Sequence, residues 1–157
     1  MKRTSAAMLI LAVTYGSLPC VVQAGESLDV WPGLAPGETD RSVGEKQPGR
    51  PGEHPPVTRV AGVTRPTFTV HVPENPNGSA AVILPGGGFR IVVPDKEGTE
   101  AADWLARHGV TSFVVSYRTT TDQSKPGADQ SKPGWVEPLQ DAQRTIALVR
   151  SQAERWG

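Results

Sequence analysis

Residues 81–90 read AVILPGGGFR. A run of apolar residues, of the kind that forms a buried strand, ends on a proline, three glycines and a phenylalanine. Three consecutive glycines are costly in conformational entropy. They make chemical sense where backbone must approach a ligand closely. A phosphate cradle of the P-loop kind would need Gly-Lys-Ser/Thr next, and none follows. A dinucleotide fingerprint needs G-x-G-x-x-G, whereas Gly86-x-Gly88 is followed by Phe-Arg-Ile. The remaining chemistry is an oxyanion hole, in which bare N–H groups face the oxygen that gains charge when an ester is attacked. The plain alternative is a glycine turn that meets no ligand.

An oxyanion hole serves a nucleophile, and the sequence offers none. No G-x-S-x-G elbow occurs, and Ser79 and Ser116 lack flanking glycines. His54 lies in a Pro-rich stretch, His71 on the polar phase of a strand and His108 at a helix C-terminus, where a cation suits the dipole. Each reads as a surface histidine. No ligand spacing for a metal is present, and no cofactor is expected. Asp141 and Glu97 each stand at a helix start. Asp141 is expected to pair with Arg118 as a structural ion pair, and Glu97 to brace the glycine loop.

The elements that would position these residues begin near residue 67. Phe68, Val70 and Val72 alternate with Thr67, Thr69 and His71, the period-2 pattern of a strand with one buried face. ENPNG is a turn. Ala80 to Leu84 reads as a second strand, apolar enough to be buried on both faces. DKEGTEAADWLARHGV reads as a helix closed by Gly109, and VTSFVVSYR as another fully apolar strand. DQSKPG then occurs twice, seven residues apart, and is taken as a duplicated surface loop. EPLQDAQRTIALVRSQAERWG is an amphipathic helix whose expected apolar stripe is Leu139, Ala142, Ile146, Val149, Ala153 and Trp156. Helices alternating with apolar strands imply an α/β fold with a mostly parallel sheet and flanking helices.

Ahead of this body, a third of residues 25–66 are Gly or Pro. They are expected to form an extended arm, with a short strand at Val57–Val63 and Trp31 pinning the arm to the body. Disorder is the alternative for residues 38–56. Residues 1–24 read as a secretory signal: Lys2 and Arg3, an apolar run from Ala6 to Val13, and Val22-Gln23-Ala24 before a cleavage point. The apolar run is interrupted by Tyr15, Gly16 and Pro19, and is shorter than the roughly 20 residues a membrane span needs. Pro19 before Cys20 argues against a lipoprotein site. Cleavage after Ala24 would remove the single Cys, so neither a disulfide framework nor a cysteine metal site is expected. The formal net charge is zero and no basic stripe appears, so nucleic acid is not expected as a partner, nor a membrane after cleavage.

One resemblance joins the motifs. The chain resembles the first half of a secreted esterase of the α/β-hydrolase superfamily, in the acetyl xylan esterase or feruloyl esterase group. It is carried by the Trp31–Gly37 opener, Pro85 to Phe89, Glu97-Gly98, Ala102 to Leu105, Tyr117-Arg118, and Trp135 to Arg150. The resemblance implies a serine carboxylic ester hydrolase acting on acetyl or feruloyl esters of plant polysaccharide, exported from the cell. It implies that N–H groups among Gly86, Gly87 and Gly88 hold the oxyanion, and that Phe89 lines the substrate pocket. It also implies that residues 67–157 are the N-terminal portion of the domain, without the serine, acid and histidine, and inactive alone. A non-catalytic secreted binding domain that keeps the half-fold is the second reading.

Overall fold

The computed structural model describes residues 25–120 and 133–156; residues 1–24, read above as a secretory signal, and most of the DQSKPG repeat lie outside them. Among the described residues six strands form: β1 (Ser27–Asp29), β2 (Val43–Lys46), β3 (Val60–Val63), β4 (Thr67–His71), β5 (Ala80–Ile83) and β6 (Thr111–Ser116). The helices are α1 (Glu100–Ala106), entered through a π-helical turn at Asp95–Thr99, α2 (Val136–Ser151) and α3 (Ala153–Trp156).

The main sheet has the order β1-β4-β6-β5, and β2 and β3 form a separate antiparallel ribbon. The α/β reading holds, with a mixed sheet: β5 and β6 are parallel, while β4 is antiparallel to both β6 and β1. The ENPNG turn reverses the chain after β4 without making a neighbouring hairpin, because β6 is inserted between β4 and β5. Asn77 holds this arrangement. Its side-chain amide donates to the His108 carbonyl, and its N–H donates to the Gly109 carbonyl. The turn is thereby tied to the loop that launches β6. Gly109 closes α1 as expected, at φ +79°.

The two apolar runs differ in burial. β6 is central, and Thr111 to Val115 are all buried. β5 is an edge strand among the described residues. Ala80 and Leu84 are exposed and the positions between them half-buried, so the expectation of two buried faces fails there. Apolarity reports what a strand could bury; its place in the sheet decides what it does bury.

β4 follows its alternation, with Phe68 and Val70 buried and the Thr67, Thr69 and His71 side partly open. Phe68, Phe113 and Trp156 meet edge to face with ring centroids 5.3–6.5 Å apart, and Val30, Val70 and Val149 belong to the same core. The helical stripe is rotated from its expected phase. Pro138, Asp141, Ala142, Thr145, Val149 and Trp156 are buried, whereas Leu139 and Ile146 are exposed. The helix also breaks at Gln152, whose φ of −120° ends α2 before the short α3.

The rotation follows from what Asp141 does. It is fully buried, and so is Arg118. The Asp141 carboxylate accepts the Arg118 N–H at 2.8 Å and lies 3.0–3.1 Å from its guanidinium, confirming the expected pair. It also accepts Trp31 Nε1–H at 2.8 Å. Arg118 donates onward to the Pro36 carbonyl and the Gln140 amide oxygen. A buried charge must be neutralised and fully hydrogen-bonded, so the helix turns its acid inward and lets two apolar residues face out.

Trp31 therefore pins the arm, as expected. The rest of the arm is also ordered. β1 pairs with β4, and β3 is bridged to Val92 by two backbone hydrogen bonds of 2.8–2.9 Å. Asp29 is held between Arg41 and Arg65, both at 2.7 Å, and its carboxyl is pulled below the usual range chiefly by Arg65.

Candidate functional site

β5 delivers the chain to Pro85, and the three glycines that follow are there for three different reasons. At Gly86 a Cβ would strike the Glu97 carboxylate. At Gly87, φ is +142° and a Cβ would run into the carbonyl of Ile91. Gly88 has open space around its Cα, and glycine is favoured there by φ of +60° alone. Phe89 is also left-handed, at φ +63°, which is rare for a bulky residue and marks stored backbone strain. Its carbonyl is fixed by both the N–H (2.8 Å) and the hydroxyl (3.1 Å) of Thr120.

The loop's carbonyls are held by the protein. Pro85 O accepts the Tyr117 hydroxyl at 2.5 Å, Gly86 O accepts Val93 N–H at 3.1 Å, and Gly87 O accepts the N–H groups of Arg90 and Ile91, both at 3.3 Å. The donors divide differently. Gly86 N–H is taken by Glu97 Oε2 at 3.0 Å. The N–H groups of Gly87 and Gly88 have no acceptor among the described residues. Most of the loop's carbonyls are tied back and two of its N–H groups are left over, so donors without a charged side chain are in surplus there, the kind of group an oxyanion site uses.

Glu97 reaches Gly86 because its neighbour is a glycine. Gly98 is buried, and a Cβ there would come within 2.7 Å of Val114 and 3.2 Å of the Pro85 ring. The π-helical turn can thus lie directly on β6 and on the start of the loop. Such turns recur at functional sites. The expected bracing role of Glu97 is what the structure shows. Burial, with the Glu97 charge adding to it, pushes the Tyr117 phenol above its ordinary pKa and keeps it a donor.

Beside the loop lies a groove of about 370 Å³, walled by Leu84, Phe89, Trp135 and Leu139 and floored by Pro138 and Ala142. Those four wall residues are 43–49% exposed, so the groove is an open apolar surface of the size small-molecule sites have. The resemblance implied a pocket role for Phe89, which lines the groove. Sequence reasoning missed Trp135 and Leu139 as groove residues: the helical spacing that recommended Leu139 for the core cannot distinguish a core face from a groove face.

None of the three histidines lines this groove. His71 lies 3.9 Å from Asp103, and His108 Nδ1 donates to the Trp104 carbonyl at 2.8 Å while its ring lies 4.1 Å from the Trp104 ring. Among the described residues no group of three His, Cys, Asp or Glu side chains could hold a metal ion, and no helix is long and apolar enough to cross a membrane.

No protein-family model matches the chain. Over 85 residues, 54% of its length, it is 36% identical to an acetylxylan esterase of Xylanibacter ruminicola, so the resemblance expected from its motifs is found. The chain spans 15% of that enzyme's length. Among solved structures it is similar to an acetyl ester–xyloside bifunctional hydrolase from Caldicellulosiruptor lactoaceticus, at 21% identity, covering 87% of this chain and 40% of that one with a TM-score of 0.48. It is also similar to an esterase from Thermogutta terrifontis, at 18% identity, covering 73% and 36% of the two chains with a TM-score of 0.46.

Proposed function

We propose that this chain supplies the oxyanion-binding and acyl-pocket part of a serine carboxylic ester hydrolase of the α/β-hydrolase superfamily, acting on acetyl or feruloyl esters of plant polysaccharide. The observation that carries the reading is the pair of unclaimed N–H groups at Gly87 and Gly88, set beside an apolar groove in a chain similar to an acetylxylan esterase. When a nucleophile attacks the ester carbonyl, charge moves onto its oxygen. Gly87 and Gly88 donate to that oxygen, while Gly86, engaged by Glu97, holds the loop. Of the three glycines named from sequence, two are donors in this reading and one is an anchor. Phe89 and Trp135 flank the organic part of the substrate. The nucleophile, its base and its acid are not among these 157 residues, so residues 25–157 alone are expected to release no product above background from aryl acetates or ferulates.

The test replaces the matching segment of the Xylanibacter ruminicola esterase with this chain's own. A soluble hybrid should hydrolyse acetylated xylan or an aryl ferulate, and lose turnover on Gly87→Val. A folded hybrid whose turnover ignores Gly87→Val would remove the loop from catalysis and favour the binding-domain reading. The reading includes export: Lys2-Arg3, the apolar run and Val22-Gln23-Ala24 support cleavage after Ala24. Mass spectrometry of exported protein should find Gly25 first, and a mature chain beginning at Met1 would refute it.

A further inference from the structure

We infer that Glu97 and Tyr117 are positioning residues that act together on a single peptide unit. Pro85 C=O and Gly86 N–H belong to the same planar amide. Tyr117 donates to its oxygen at 2.5 Å, and Glu97 accepts from its nitrogen at 3.0 Å. The two side chains come from different elements, Tyr117 from just past β6 and Glu97 from the π-helical turn. An amide gripped at both ends by separately anchored groups cannot rotate about its flanking bonds without losing two hydrogen bonds. This matters because the next residues are glycines, whose backbone has no steric preference to hold it. The clamp fixes the first plane of the loop, and the next two amides follow it with their own carbonyls held, Gly86 O by Val93 N–H and Gly87 O by Arg90 and Ile91 N–H.

The environments of the two grips differ in a way that suits a clamp. Tyr117 is buried, with its phenol held neutral, so it is a fixed donor. Glu97 is exposed and has no ion pair among the described residues; it accepts from Gly86 N–H. Its carboxylate is committed to a loop amide and to no cation. A brace serving only the core would not need to leave the core. The chain's other helix-start acid, Asp141, shows what such a brace looks like, being enclosed and paired with Arg118.

The clamp is a property of the chain itself; its consequence for turnover rests on the esterase reading. The first measurement is amide hydrogen exchange by NMR on the full chain, in the parent, Glu97→Ala, Glu97→Gln and Tyr117→Phe. Glu97→Ala should speed exchange at Gly86 at least tenfold and shift the resonances of Gly87 to Phe89. Amides of β4 and β6 should keep their protection. Glu97→Gln, whose side-chain oxygen still accepts, should restore slow exchange. Tyr117→Phe should disturb the same loop amides. Unchanged exchange at Gly86 in Glu97→Ala overturns the clamp. So does acceleration spread equally over β4 and β6, which would make Glu97 a general stabiliser. The second measurement uses the esterase hybrid. Glu97→Ala should lower kcat several-fold with little change in KM, with recovery in Glu97→Gln. If Gly87→Val abolishes turnover and Glu97→Ala leaves kcat intact, the positioning role fails and the oxyanion reading stands. If Gly87→Val itself has no effect, the oxyanion reading fails, and the exchange data alone judge the clamp.

Discussion

Two carboxylates occupy equivalent positions in this fold and do different things. Asp141 and Glu97 each lie near the start of a helical segment, and each accepts a backbone N–H from the residues just past a neighbouring strand: Arg118 after β6, Gly86 after β5. Asp141 is enclosed and saturated by the Arg118 guanidinium and the Trp31 indole. Glu97 is exposed, takes one amide, and leaves the next two N–H groups of the loop without acceptors. The same local device closes a network in which every donor and acceptor is matched at Asp141, and at Glu97 it leaves donors over beside a groove. What separates the two is the completeness of hydrogen bonding around the acid, which neither helix position nor residue type reveals.

The sharpest way to break this comparison is to remove each acid in turn. Asp141→Ala leaves Arg118 charged and buried without its partner, a loss of about 3–5 kcal/mol. That is a large share of the roughly 5–15 kcal/mol a domain has. Urea unfolding of the full chain should show it as a lowered midpoint or as loss of the cooperative transition, while Glu97→Ala should shift the midpoint by under about 1 kcal/mol, as for an exposed hydrogen bond. Equal effects would erase the distinction.

The next effect in size is at the loop. Gly87→Val forces a Cβ into the Ile91 carbonyl at a φ that valine does not adopt. In the esterase hybrid it should cost ~10²–10³ in kcat, the value of one oxyanion donor, with a far-ultraviolet spectrum like the parent's. Gly88→Ala has room for its methyl and only the backbone strain of about 1–2 kcal/mol to meet. It should fall between parent and Gly87→Val.

Trp31→Phe keeps an aromatic ring and deletes the donor to Asp141. Loss of a hydrogen bond to a charged group predicts destabilisation of about 1.5–3 kcal/mol by urea unfolding. A negligible change would show that Arg118 alone satisfies the buried acid. Phe89→Asn works in the opposite direction, since asparagine tolerates the left-handed region. It should raise stability by up to about 1 kcal/mol and weaken substrate binding in the hybrid, separating the strain of the loop from the use of its ring.

The smallest effect concerns pH. Glu53 is held down to about 2 by its hydrogen bonds and charge contact with Arg59. A carboxyl depressed in the folded state contributes stability above its ordinary pKa of 4.5, lost as pH falls through the folded value. Between about pH 4.5 and 2, amide protection at Val57 should therefore decline in the parent. In Glu53→Gln that part of the pH dependence should vanish. An identical profile in both would assign the loss to other groups.

Much of this was legible in the chain. Alternation in Thr67–His71 gave β4 its buried face because a strand's side chains alternate by geometry alone. Gly109, the Arg118–Asp141 pair, the pinning role of Trp31 and the bracing role of Glu97 were all readable, because each depends on a residue type that has few other uses at its position. The three glycines were readable as a set that offers backbone groups and no side-chain chemistry, while their oxyanion role came from the family resemblance. The sequence could not divide them. That Gly86 is spent on Glu97 while Gly87 and Gly88 keep their N–H groups depends on Gly98 letting a helical turn rest on β6 and Pro85, a contact between segments that periodicity does not encode. Equally, VILPGGG and VTSFVV look alike as apolar runs, yet one is an edge and the other the centre of the sheet, because β6 is inserted between β4 and β5. The phase of α2 was decided the same way: a stripe of leucine, isoleucine and valine at helical spacing was overruled by one buried aspartate, since leaving a charge unpaired in the core costs more than leaving two apolar side chains in water.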